Sequence, residues 1–147
     1  GVCGFPTLDK HLVAIRPASA SQDGKAREVW RMEETMPHIP TPLISGDRLY
    51  LWADNGVITC LRPSSGEKVW KARVENVKDT FFGSPVLAGN TIFCVSAYGQ
   101  VVAISDTDEF KQLGVTNLGE LCRSTPALAN GDLYLRTAKR LLCIKGT

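Results

Sequence analysis

A chain of 147 residues, 44% hydrophobic and 22% charged, has an ordinary globular composition and is long enough for one domain. Its 17 lysines and arginines against 15 acidic residues leave a formal charge of +2 scattered along the chain, so the basic patch expected of a nucleic-acid binder is missing. No apolar run approaches the ~20 residues of a membrane span, and the opening GVCGFPTLDK lacks the charged start and apolar core of a secretory signal, so a soluble chain without an address is expected.

In chain order, HLVAI (11–15) and REVWRM (27–32) read as two strands joined by the Ser/Ala/Gly-rich loop PASASQDGKA, the best candidate for a flexible insertion. They are taken as the last two strands of an earlier unit within residues 1–40. A repeat then emerges from three segments, TPLISGDRLYLWADNGVITCLR from Thr41, SPVLAGNTIFCVSAYGQVVAIS from Ser84 and TPALANGDLYLRTAKRLLCIKG from Thr125. Their prolines at 42, 85 and 126 are spaced by 43 and 41, and their turn glycines at 46, 89 and 131 by 43 and 42. Two independent landmarks thus agree on a period near ~40–45 residues, which with four strands per unit is that of a propeller blade.

The runs LYLW (49–52), VITCL (57–61), TIFCV (91–95), VVAI (101–104), LYL (133–135) and LLCI (141–144) are short and rich in β-branched and aromatic residues. Turns such as DNG (54–56) and YG (98–99) make them antiparallel neighbours. Their nearly continuous apolar character requires cover on both faces, as in stacked blades. The fourth strand of a unit, KVWKARV (68–74), alternates polar and apolar residues and suits a half-exposed outer edge. The prediction is therefore an all-β fold, a partial β-propeller of four-stranded antiparallel blades over residues 1–147, with blades at 41–74 and 84–118 and a partial blade at 125–147. No helix longer than a turn or two is expected.

The five cysteines, at 3, 60, 94, 122 and 143, show no CxxC or Cys/His ligand spacing. Cys60, Cys94 and Cys143 lie in apolar runs and read as small buried hydrophobes, with one unassignable disulfide left open. Trp52, in mid-strand, reads as core. Of the two histidines, His11 and His38, the second sits between prolines in MPHIPTP, on a connection near a channel mouth, but no partner for acid–base work is legible. DTDE (106–109) offers oxygen ligands without the glycine-containing loop and distal glutamate of a calcium site and reads as a solvated turn. Asp54 and Asn55 are explained by turn chemistry alone. No nucleophile elbow, P-loop, dinucleotide fingerprint or HExxH motif occurs, so no catalytic residue is assigned.

CLRPSSGEKVW resembles the tryptophan-docking motif of the pyrroloquinoline-quinone-type propeller repeats, Ala-x-Asp-x-x-Thr-Gly-Lys-x-x-Trp, with Cys60, Gly66 and Trp70 at its first, seventh and eleventh positions. Trp30, ending GKAREVW, is the parallel residue of the earlier unit. Arg62 and Ser65 depart from the motif's Asp and Thr, and AISDTDEFKQL (103–113) lacks both its glycine and its tryptophan. The resemblance covers residues 41–147 well and the first 40 poorly. The motif is structural: the tryptophan crosses to the next blade and the glycine permits a close turn.

The family builds seven- or eight-bladed propellers in quinoprotein dehydrogenases, in the outer-membrane assembly lipoprotein of Gram-negative bacteria and in uncharacterised secreted or periplasmic bacterial proteins, the group that this pattern resembles most. Likeness to the dehydrogenases would imply a quinone in the channel, calcium held by acidic and amide side chains, and a catalytic aspartate; the family's adjacent cysteine pair is absent. The expectation is no quinone and no metal needed for folding. Two functions follow: a non-enzymatic periplasmic or secreted scaffold binding a protein or glycan partner through blade loops, or part of a quinone-dependent oxidoreductase with its catalytic residues elsewhere. Closed propellers need ~4–8 blades. The chain is accordingly expected to be the C-terminal part of a longer propeller, or to complete a ring with a second copy through strands near Val13 and Leu142.

Overall fold

The computed structural model describes residues 2–3, 11–20, 23–34 and 36–146. Its strands form four antiparallel sheets. The first holds β1 (Val2–Cys3), β2 (His11–Arg16) and β3 (Arg27–Met32). The second holds β4 (Leu43–Ser45), β5 (Arg48–Trp52), β6 (Val57–Leu61) and β7 (Lys68–Arg73), and the third β8 (Val86–Ala88), β9 (Thr91–Val95), β10 (Gln100–Ser105) and β11 (Gln112–Asn117). In the fourth lie β12 (Ala127–Ala129), β13 (Asp132–Arg136) and β14 (Leu141–Ile144). The protein is a partial β-propeller. Beyond the two strands anticipated before Thr41, the first sheet has a third, β1, in a stretch too short to carry a periodic signal. The insertion between β2 and β3 contains one turn of 3₁₀ helix, Ala18–Ala20.

The continuous apolar runs are explained by the stacking. On β5, Leu49 and Leu51 pack with Leu12, Met36 and Leu61 between the first two sheets, whereas Tyr50 and Trp52 pack with Ile58, Ile92 and Ile104 between the second and third. One strand thus feeds two cores, so each successive side chain must be apolar. β9 does the same: Ile92 and Cys94 face back, while Phe93 and Val95 join Val101, Leu133 and Leu135 toward the fourth sheet. Trp52 is fully buried against Phe81, with ring centroids 5.4 Å apart.

The inner strands are tied by a hydrogen-bond ladder. The backbone N–H of Thr41 donates to Ser84 Oγ at 2.9 Å, and that of Ser84 donates to Thr125 Oγ1 at 3.0 Å. The Ser/Thr before each proline therefore accepts from the same position one sheet earlier, which gives the recurring residue type its physical reason.

The cysteine reading needs one correction. Cys60 and Cys94 are fully buried and Cys122 is buried, but Cys143 is exposed, because it pairs with Tyr134 on the face of the fourth sheet opposite Leu133 and Leu135. All four are free thiols, and the Cys3 side chain lies outside the described residues. The residue expected at a ring joint is also displaced by one. Leu142 packs inward toward the third sheet, and Leu141 is its outward neighbour.

Candidate functional site

Each pair of third and outer strands carries a register shift at the same place. It sets Ala14 opposite Trp30, Cys60 opposite Trp70 and Ala103 opposite Gly114. Trp30 Nε1–H donates to Pro63 O at 2.8 Å, and its ring lies on Gly66, where a Cβ would fall 2.7 Å from Trp30 Cδ2. With φ at +75°, Gly66 is doubly specified, by the turn and by the ring upon it. Trp70 Nε1–H donates to Thr107 O at 3.1 Å, and the ring sits 5.8 Å from Tyr50 and 5.4 Å from Phe110. Glycine and tryptophan of one motif thus do not meet: the Gly66 turn receives the tryptophan of the preceding sheet, and Trp70 docks on the glycine-free turn of the third sheet. Cys60 lies beneath Trp70, and burial pushes its thiol up to about 11.

DTDE is only partly the solvated turn expected: Asp108 and Glu109 are exposed, but Asp106 is turned into the interface between sheets. Asp106 is nearly buried and accepts Ser45 Oγ–H at 2.5 Å and Tyr50 O–H at 2.6 Å. Asp108 takes Arg62 Nη2 and Arg48 Nε at 2.7 Å each, and these guanidinium bonds hold its carboxyl below the usual range. Arg62, which departs from the motif, binds Asp47 of its own sheet and Asp108 of the next, so the departure serves as a bridge. A cation here would have to displace guanidinium groups. Among the described residues no cluster of three or more His, Cys, Asp or Glu side chains is placed to hold a metal. The carboxylates of DTDE are thus engaged by hydroxyl and guanidinium groups and are not free to take a calcium ion.

Hairpin tips and inter-sheet connections share one face of the molecule. The β9–β10 tip is pinned from both sides: Ala97 N–H donates to Thr80 O and Cys122 N–H to Ala97 O, while Tyr98 N–H donates to Asp79 Oδ2 at 2.7 Å. At the next tip Glu120 accepts Thr137 Oγ1–H at 2.6 Å and Lys139 N–H at 3.2 Å and pairs with Arg140. Asp54 acts across an interface as well, accepting the N–H groups of His38 and Ile39, so its role exceeds that of its own turn. Asn55 does make the local turn bond, to Val57 N–H. His38 Nδ1 lies 3.7 Å from Asp54 Oδ2, with no nucleophile beside the pair among the described contacts. His11 begins β2.

At the first of these pinned tips Tyr98 is 69% exposed, and Leu121 is exposed on the connection that follows β11. The Arg123 guanidinium lies 5.1 Å above the Phe82 ring. Sequence reasoning assigned none of these residues. A usable signal was present, since Asp79 and Glu120 each stand five positions before the Ser84 and Thr125 of the ladder.

A family model described as outer membrane protein assembly factor BamB matches residues 18–109. The fold resembles that of BamB from Moraxella catarrhalis with a TM-score of 0.61 at 17% identity, over 84% of this chain and 37% of that one. It also resembles a europium-containing methanol dehydrogenase with a TM-score of 0.61 at 12% identity, over 80% of this chain and 22% of that one. The chain therefore spans well under half the length of either structure. No curated protein matches it.

Proposed function

The chain belongs to the family of the outer membrane protein assembly factor BamB, and from that premise we propose that it is a non-enzymatic propeller scaffold of the bacterial periplasm that binds a protein partner through the face bearing its hairpin tips. The observation that carries this reading is Tyr98, a large exposed aromatic on a tip whose backbone is held by Asp79, Thr80 and Cys122. A rigid aromatic anchor loses little conformational entropy on docking, and tyrosine and arginine recur at binding hot spots. Leu121 and Ile39, both exposed on connections of the same face, extend the apolar area. That composition favours a protein over a glycan. The saturated carboxylates Asp106 and Asp108 give the oxidoreductase alternative no support.

The test is photo-crosslinking in cells, with a benzophenone amino acid at position 98 and, as control, at Leu113 at the other end of the third sheet. A discrete protein adduct from 98 and none from 113 is expected. Adducts of equal yield from both positions, or none from 98, would overturn the assignment.

A further inference from the structure

The tryptophan dock recurs twice and is vacant the third time. Register places Gly114 where Trp30 and Trp70 stand in the first and second sheets, and nothing lies within 4 Å of the position its Cβ would take. The residue at the motif's eleventh position by counting, Leu113, is no substitute, since the turn from β10 to β11 is one residue longer than that from β6 to β7 and leaves Leu113 exposed. Gly114 shares a register row with Ala103 and Phe93, and Phe93 lines a cavity of about 430 Å³ between the third and fourth sheets together with Val101, Leu118, Leu128, Leu133 and Ile144. Phe93 occupies the register position of Tyr50, the ring against which Trp70 packs. Leu128 and Ile144 remain 40% and 48% exposed. The cavity also reaches Lys145 and Gly146, the start of the turn whose counterparts in the two filled docks supply the carbonyl that accepts the indole N–H.

The geometry points to this cavity as a binding site for a planar aromatic group of indole size, supplied from outside the chain where the first two sheets supply their own. The volume lies within the ~300–1,000 Å³ of small-ligand pockets. Its lining is apolar with a ring for tilted stacking, and an entering indole would cover Leu128 and Ile144 while its N–H met a backbone carbonyl. This site is separate from Tyr98 and stands or falls apart from the partner face.

The experiment titrates the full chain with indole and follows backbone amide shifts, with cyclohexanol as an aliphatic probe and N-acetyl-tryptophanamide and a short tryptophan peptide as side-chain probes. Indole should produce saturable shifts at Phe93, Leu128 and Ile144 and bind at least tenfold more tightly than cyclohexanol. Gly114→Trp should fill the cavity from within, raise Tm by roughly 2–4 °C and abolish indole binding; Leu128→Lys, which leaves the backbone untouched, should weaken binding at least tenfold. Tyr98→Ala should leave all of this unchanged. Peptide binding together with indole identifies a protein side chain as the source, and indole binding alone a free small aromatic. Absence of shifts at these residues, equal binding of cyclohexanol, or unaltered indole binding in Leu128→Lys would overturn the site.

Discussion

Trp70 joins the second and third sheets through two rings and one hydrogen bond, and the cost of removing it is a measure of the dock. Truncating a tryptophan to alanine in a packed setting costs ~3–5 kcal/mol, and because Trp70 is only partly buried the lower end applies. Trp70→Ala should therefore lower unfolding free energy by about 3 kcal/mol in urea titration, against the ~0.5 kcal/mol or less usual at free surface positions. Gly66→Val should be comparably damaging, since a left-handed conformation alone costs a branched residue ~1–2 kcal/mol and the new Cβ would collide with the Trp30 ring. Thiol reactivity reads the same packing at single residues. At pH 8 a maleimide should modify Cys143 within minutes, whereas Cys60, Cys94 and Cys122 stay protected by burial, which also raises the thiol values of Cys60 and Cys94. Labelling of Cys60 before Cys143 under native conditions would contradict the interface.

Between elements, the charged bridges decide how the sheets respond to acid. The guanidinium groups of Arg62 and Arg48 hold the Asp108 carboxyl below its ordinary value, and Lys68 and Lys71 do the same for Glu34, which ties the segment after β3 to β7. A carboxylate depressed in the folded state stabilises above its unfolded value and loses that contribution as pH falls through the folded one. Thermal stability should therefore hold down to about pH 4 and decline below it, near the ordinary aspartate value of ~3.9. Arg62→Gln should flatten that decline, as followed by circular dichroism melts from pH 6 to 2. Asp108 is solvent-exposed, so the effect should shrink in high salt. The tryptophan and glycine of the dock were legible because Cys60, Gly66 and Trp70 fall within eleven consecutive residues that match one local motif. The acid–base bridge was not, because Arg62 and Asp108 are 46 residues apart and nothing local in either turn names the other.

For the whole molecule, the outer faces of the two end sheets each expose a large apolar side chain. Ile15 on the first is 59% exposed and Leu141 on the fourth 69%. Faces of this kind invite association, and repeat units need neighbours to bury a continuous core. Further blades or a second copy are proposed as the cover. The 147-residue chain by itself should consequently self-associate at high concentration, with Leu141→Lys reducing the associated fraction and Leu142→Lys instead lowering stability, since Leu142 belongs to the core between the third and fourth sheets. Light scattering with a parallel melt distinguishes the two. A cooperative 16.0 kDa monomer at high concentration would refute the association.

The period of the prolines and turn glycines, the strand chemistry and one good copy of the motif determined the fold without coordinates, because blade formation depends on local signals repeated every ~40–45 residues. What they could not reach was the relation between repeats. Which glycine receives which ring, that Asp106 is buried and Asp108 bridged by two arginines, that Cys143 faces out, and that Gly114 leaves a dock unfilled all follow from how one sheet lies on the next. Those contacts join residues one repeat apart through space, and a sequence read along its length carries the period of the repeat but not the register between its copies.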